Sequence, residues 1–224
     1  MSEPGFRRVL AFDCSGASCS AALWVDGNCA AERFAAMARG QAEALMPQIR
    51  AVMTEAGLDF ADLDAIATTV GPGSFTGLRL GLAAGRGLAL AAGRPLVALT
   101  SFEALLAGLP TARRGGCRIA VAIDSRRGPV FAQLFEPDGA AVGAPASVEA
   151  AGFEAWLPPE PVVLLADASA DLPPNRTPIR AAIRAVDIAR FASCLGAAGI
   201  GRLDAVPLYL RAPDVTLPKP RPVL

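Results

Sequence analysis

The sequence predicts an α/β protein of two similar domains, each built on a mixed sheet flanked by helices. Three observations carry that expectation. Strand-like apolar runs alternate with helical patterns through the first hundred residues, as they do in sheets with parallel pairs. Two segments, RVLAFDCSGASCSAALWVDG (Arg8–Gly27) and RIAVAIDSRRGPVFAQLFEPDG (Arg118–Gly139), share one plan. With 224 residues, 53% of them hydrophobic and 19% charged, the chain can bury one large or two small cores.

The repeat is specific in its parts. Each copy opens with an apolar strand ending in an aspartate, Asp13 or Asp124, followed by a small or polar turn. A second apolar run then reaches an Asp-Gly turn, Asp26-Gly27 or Asp138-Gly139, of the kind that closes hairpins. The aspartates lie 111 positions apart and the hairpin ends 112, so one insertion aligns them.

Between the copies, Ala42, Leu45, Met46, Ile49, Val52, Met53 and Ala56 form one helical stripe, stopped by Gly57. Pro47 falls a turn inside, so the regular helix is expected to begin near it. Leu63–Val70 reads as a buried strand, GPGSFTG as a turn, and Thr76–Ala92 as a helix ended by Gly93 and Pro95. Leu96–Ser101 is a further strand leading into a helix at Phe102. Pro110–Gly116 connects the halves; Val162–Ala166 is strand-like, Pro173–Pro178 a loop, and Val186–Ala198 a helix. The domains are expected at residues 1–109 and 110–206. A last segment, 207–224, ends in a tail (Ala212–Leu224) whose four prolines suit a stretch that trails along the surface or frays.

Composition narrows the chemistry. Twenty-one basic and 21 acidic residues give zero net charge, which disfavours independent binding to a phosphate backbone. There is no histidine, the one lysine is Lys219, and the one tyrosine is Tyr209. The commonest general base and metal ligand are therefore missing. The start reads as polar residues running into a strand rather than a signal peptide, and Leu78–Ala92 is too short and too charged for a membrane span. Cys14, Cys19, Cys29, Cys117 and Cys194 form no CxxC pair and suit reduced thiols in the cytoplasm.

GPGSFTGLRLGLAAGRG (Gly71–Gly87) is the most informative segment. Gly71, Pro72 and Gly73 turn the chain out of a strand, and Ser74 or Thr76 can cap the helix that follows Phe75. Gly77, Gly81 and Gly85 then make a ridge without side chains, which another helix could approach closely. A phosphate loop is the competing reading, since helix amides can hold an anion. The spacing is not GxxxxGK[ST], however, and Arg79 stands where a lysine would be needed, so a structural turn is the better reading.

AFDCSGASCSAALW, GPGSFTGLRLGLAAGRGLAL, TSFEAL (Thr100–Leu105) and PLYLRAPD (Pro207–Asp214) resemble the TsaB family, also called YeaZ, in order and along nearly the whole chain. The resemblance implies the actin-like and sugar-kinase-like (ASKHA) fold of two duplicated domains. It implies a non-catalytic subunit that supports TsaD, which transfers threonylcarbamoyl to the adenosine beside the tRNA anticodon. TsaE is the ATPase partner, the contact surface meets TsaD or a second copy of the subunit (a homodimer), and tRNA is met only through the complex. No metal or cofactor is implied, consistent with the missing histidines. The family's contact helices correspond to Ala42–Ala56 and Thr76–Ala92, which gives Leu45, Ile49, Leu78, Leu82 and Arg86 a double duty in core and interface. Asp13, Ser15 and Asp124 would be remnants of a nucleotide site. Gln41 replaces a histidine common before the first helix, and Pro129 and Phe131 depart from a DARxGEVY pattern.

Three enzymatic alternatives follow from the same residues. A kinase of this superfold would hold magnesium between Asp13 and Asp124, but no glycine-rich adenosine loop is evident in the second half. A zinc peptidase lacks its histidines, and Cys14 or Cys19 lacks a histidine to activate it.

Overall fold

A computed structural model describes residues 5–126 and 128–211; the proline-rich tail lies outside the described residues. The first sheet contains β1 (Arg8–Asp13), β2 (Ser18–Val25), β3 (Asn28–Ala36), β4 (Ala65–Gly71) and β5 (Leu96–Thr100). The second contains β6 (Arg118–Asp124), β7 (Val130–Phe135), β8 (Ala141–Val148), β9 (Val162–Asp167) and β10 (Ile179–Ala181). Their orders, β3-β2-β1-β4-β5 and β8-β7-β6-β9-β10, are the same order used twice. In each sheet three antiparallel strands are joined to two parallel ones, and Asp13 and Asp124 end equivalent central strands. The duplication expected from the repeat is thus present, as two mixed sheets of the same order flanked by helices.

Alternation along the strands builds the layers. On β1, Val9 and Ala11 face an inner core while Leu10 and Phe12 face an outer one. On β6, Ile119, Val121 and Ile123 face that same inner core, so the two sheets share it. Helices α3 (Ser101–Ala107) and α5 (Ala185–Leu195) fill the space between, through Phe102, Leu105, Ile188 and Ala192. Helix α3 starts with a capping box: Thr100 Oγ1 accepts from Glu103 N (3.1 Å), and Glu103 Oε2 accepts from Thr100 N (2.7 Å). Although α5 follows the second sheet, it packs on β1 and β2, and Ala185 N donates to Ser20 Oγ (3.1 Å). Arg114, in the connection between the sheets, donates to the carbonyls of Leu106, Leu109 and Pro137 and ties α3 to the β7–β8 turn.

Helices α1 (Gln41–Ala56) and α2 (Phe75–Ala92) cover the outer face of the first sheet. The second sheet is covered outside by the short α4 (Phe153–Trp156) and neighbouring loops. Helix α1 begins at Gln41, well ahead of Pro47, which sits inside it. Helix α5 is shorter than its expected 186–198 range, ending at Leu195 before a single tight turn. Strands β3, β8 and β10 were not legible as strands. Both β3 and β8 are edge strands with many exposed positions, so neither shows a buried run.

Candidate functional site

The GPGSFTG turn lies directly over the turn that ends β1. Ser74 N donates to Ser15 O (2.7 Å), and a Cβ on Gly73 would sit 2.7 Å from that oxygen. Ser74 also caps α2, its hydroxyl accepting from Gly77 N (3.1 Å). The glycine ridge does not receive another helix, as the sequence suggested. A Cβ at Gly77 would lie 2.1 Å from Cys14 O, and those at Gly81 and Gly85 would meet Thr68 and Leu96. The ridge lets α2 lie close on its own sheet.

Beneath this turn, Asp13 is 1% exposed and saturated by its own chain. Its carboxylate accepts from Ser15 N (3.2 Å), Ser15 Oγ (2.8 Å) and Thr69 Oγ1. Burial pushes the Asp13 carboxyl above the usual carboxylate range, against the lowering effect of these hydrogen bonds. Burial likewise raises the Cys14 thiol and pushes Cys19 up to about 11, which holds both protonated and unreactive at neutral pH. All five cysteines are free thiols.

A folded-state pKa above the unfolded value favours the protonated group. Asp13 therefore contributes full stability below its unfolded pKa and loses that contribution as pH rises through the folded one. Asp13→Asn is expected to gain stability relative to the parent as pH rises from 4 to 8. Melting curves at several pH values check this; a gap between the two proteins that does not change with pH contradicts it.

Asp124 occupies the equivalent place differently. It is half-buried, its Oδ1 accepts from Arg126 N (2.6 Å), and its own N–H donates to Asp167 Oδ2 (2.9 Å). Asp124 lines a cleft between the two sheets with Ser15, Gly16, Gly73, Arg126 and Ser169. Asp13 does not line it, so the two aspartates do not converge on one ion as a magnesium pair would. The cleft holds about 110 Å³, whereas small-molecule sites run from roughly 300 to 1,000 Å³. Among the described residues no group of three or more His, Cys, Asp or Glu is placed to hold a metal.

Of the residues given a double duty, Leu45 and Ile49 are 0% exposed, Leu78 1% and Leu82 2%. All four are buried in the protein's own cores. The outward face of α2 instead carries Phe75, Thr76, Arg79, Ala83, Arg86, Gly87 and Leu90, the last 85% exposed. Arg86 donates to Ala205 O, and Arg79 lies over the Phe75 ring (3.7 Å) and donates to Tyr209 OH (3.2 Å). Reading the period-3.6 stripe found the buried face; on the outward face the apolar Phe75 and Leu90 are separated by small and charged residues and form no continuous stripe. Gln41 donates to the carbonyls of Gly16 and Met37, securing the start of α1. Phe131 is a core residue of β7, and Pro129 precedes that strand. Among the described residues no helix is long and apolar enough to cross a membrane.

Comparison with known proteins extends this geometry. Residues 35–172 match the family model described as TsaD, tRNA N6-adenosine threonylcarbamoyltransferase. The tRNA threonylcarbamoyladenosine biosynthesis protein TsaB of Escherichia coli is 34% identical over 131 residues, covering 58% of this chain and 56% of that protein. The tRNA N6-adenosine threonylcarbamoyltransferase of Erythrobacter litoralis is 54% identical over 66 residues, 30% of this chain and 19% of that one. The chain thus spans about half the length of the first relative and a fifth of the second. An uncharacterized protein of Mycobacterium tuberculosis is 33% identical over 190 residues, covering 82% of this chain and 81% of its own. The solved YeaZ of Pseudomonas aeruginosa superposes with a TM-score of 0.74 at 27% identity, over 91% of this chain and all of that one. With the GPGSFTG turn, the doubled sheet order and these likenesses together, the chain belongs to the TsaB (YeaZ) family of TsaD-related proteins.

Proposed function

We propose that this protein is a non-catalytic subunit of tRNA threonylcarbamoyladenosine biosynthesis that docks TsaD and supports its transfer reaction. The observation that carries the reading is Asp13: its carboxylate is sealed by Ser15 and Thr69 outside the cleft that Asp124 lines, so the two do not meet on one ion as a kinase would need. The small size of that cleft, about 110 Å³, supports the same conclusion. The TsaB name of the E. coli relative supports the pathway, and the TsaD family match supports a TsaD-like partner surface. In this reading the domains divide as 1–109 and 110–206, with 207–224 as the closing segment. TsaE supplies ATP hydrolysis, tRNA is met through the complex, and the isolated subunit pairs with a second copy. The site of action is the cytoplasm.

The competing reading is a magnesium-dependent kinase working through Asp13 and Asp124. A reconstituted reaction with TsaD, TsaE and tRNA separates the two. Asp13→Asn is expected to support modified-nucleoside formation within about twofold of the parent. A loss of a hundredfold or more, with the variant folded, would favour the kinase.

A further inference from the structure

Past the tight helical turn that follows α5 (Gly196–Gly199), the chain has no regular strand or helix from 201 to 210, yet it is tied down along its length. Ile200 bridges Val97 at the free edge of β5, and Leu208 N donates to Val70 O (2.7 Å). Arg202 pairs with Glu103, at 2.7 Å from Oε1. Leu203, Ala205 and Leu208 cover the apolar patch formed by Val70, Leu82 and Ala98. Tyr209 stacks on Phe75 with ring centroids 5.3 Å apart.

The remaining two ties come from α2. Arg79 and Arg86 are exposed cations seven residues apart, so they leave the same helix face two turns, about 10 Å, apart. Their acceptors are neutral, the Tyr209 phenol and the Ala205 carbonyl, and neither has a carboxylate partner among the described residues. Both bonds are charged at the donor alone, whereas a carboxylate adds charge at the acceptor and can take the planar guanidinium through two parallel bonds. Carboxylates presented at this spacing would therefore outcompete both acceptors. Exposed Phe75, Ala83 and Leu90 on the same face suit the apolar body of a helix. The zero net charge of the chain supplies no field for a polyanion.

We propose that residues 200–210 form a latch over α2, and that an acidic helix of the docked partner opens it by taking Arg79 and Arg86. This rests on the docking reading above. By linkage, whatever opens the latch beforehand strengthens docking by the same factor.

The test reads amide exchange at Leu208 and the fluorine signal of 3-fluorotyrosine at Tyr209, the only tyrosine. The probes are TsaD and, separately, a synthetic helical peptide with glutamates seven residues apart. In the free protein, Arg79→Ala with Arg86→Ala is expected to speed Leu208 exchange about tenfold. Adding either probe to the parent is expected to abolish Leu208 protection and shift the Tyr209 signal. Leu208→Pro, which keeps both arginines, is expected to bind the peptide about tenfold more tightly; Tyr209→Phe, which removes only the phenol acceptor, moves the same way by less. Unchanged or increased protection on binding, with no tightening in either variant, overturns the latch. Opening by tRNA but not by the peptide overturns the acidic-helix assignment. Failure of TsaD alone to bind defeats the docking reading, while the peptide still decides the latch.

Discussion

Gly77→Val is expected to leave little folded protein, and Gly77→Ala to cost about 3 kcal/mol or more. Even the single added carbon would lie 2.1 Å from Cys14 O and 2.6 Å from Ser74 Oγ. Neither neighbour can give way cheaply. Cys14 follows β1, the central strand of the first sheet, and Ser74 Oγ is the acceptor that caps α2. Relief requires α2 to lift, which uncovers Leu78 and Leu82. Overpacking of this kind usually costs about 1–3 kcal/mol, and a backbone atom in the path places this site at the upper end or beyond. In a chain of this size 3 kcal/mol lowers Tm by roughly 6–12 °C. At Gly87, on the opposite face of the same helix, an added Cβ would meet nothing within 4 Å. Gly87→Ala is therefore expected to stabilise by about 0.5–1 kcal/mol through helix propensity. Thermal melts of the two alanine variants check the pair; equal melting temperatures would contradict the packing argument.

Ala83→Arg is expected to weaken TsaD docking about a hundredfold while leaving Tm within about two or three degrees of the parent. Ala83 lies on the exposed face of α2 between Arg79 and Arg86, with Leu90 two turns beyond. A long cation there blocks close approach of a partner helix and adds repulsion between neighbouring guanidiniums. Truncation or blocking at the centre of a helix interface costs about 2–4 kcal/mol, of which about 2.7 is a hundredfold. Leu78→Glu is not an equivalent probe. Leu78 is 1% exposed, so a buried charge would unfold the protein before docking could be read. Isothermal titration of the variant into TsaD gives the answer, and unchanged affinity would move the interface off α2.

Much of the fold was legible because burial writes itself into alternating runs. The strand–Asp–turn–strand unit exposed the duplication, and the helix expected at Phe102 begins one residue earlier, at Ser101, where Thr100 and Glu103 form a capping box. Edge strands β3 and β8 escaped because exposed positions such as Arg33 and Ala144 break the pattern. The site was harder. Asp13 and Asp124 look equivalent as letters, but Thr69 and Asp167 on the adjoining strands give them opposite surroundings: hydroxyl donors for one, a second carboxylate for the other. The apolar stripe of α1 and the glycine ridge of α2 are real, yet both face inward, because a helix on a sheet shows its strongest periodicity toward its own core. Outward faces are chosen by a partner, and one sequence holds little record of that choice. The contacts from Arg79 to Tyr209 and from Arg86 to Ala205 span more than a hundred residues and have no local signature.

The central claim is that this subunit works by docking TsaD, and size-exclusion chromatography with light scattering tests it most directly. An equimolar mixture of the two purified proteins is expected to elute as a complex with the summed mass of one copy of each. Separate elution of the two at every concentration tried, with and without ATP and TsaE, would contradict the account.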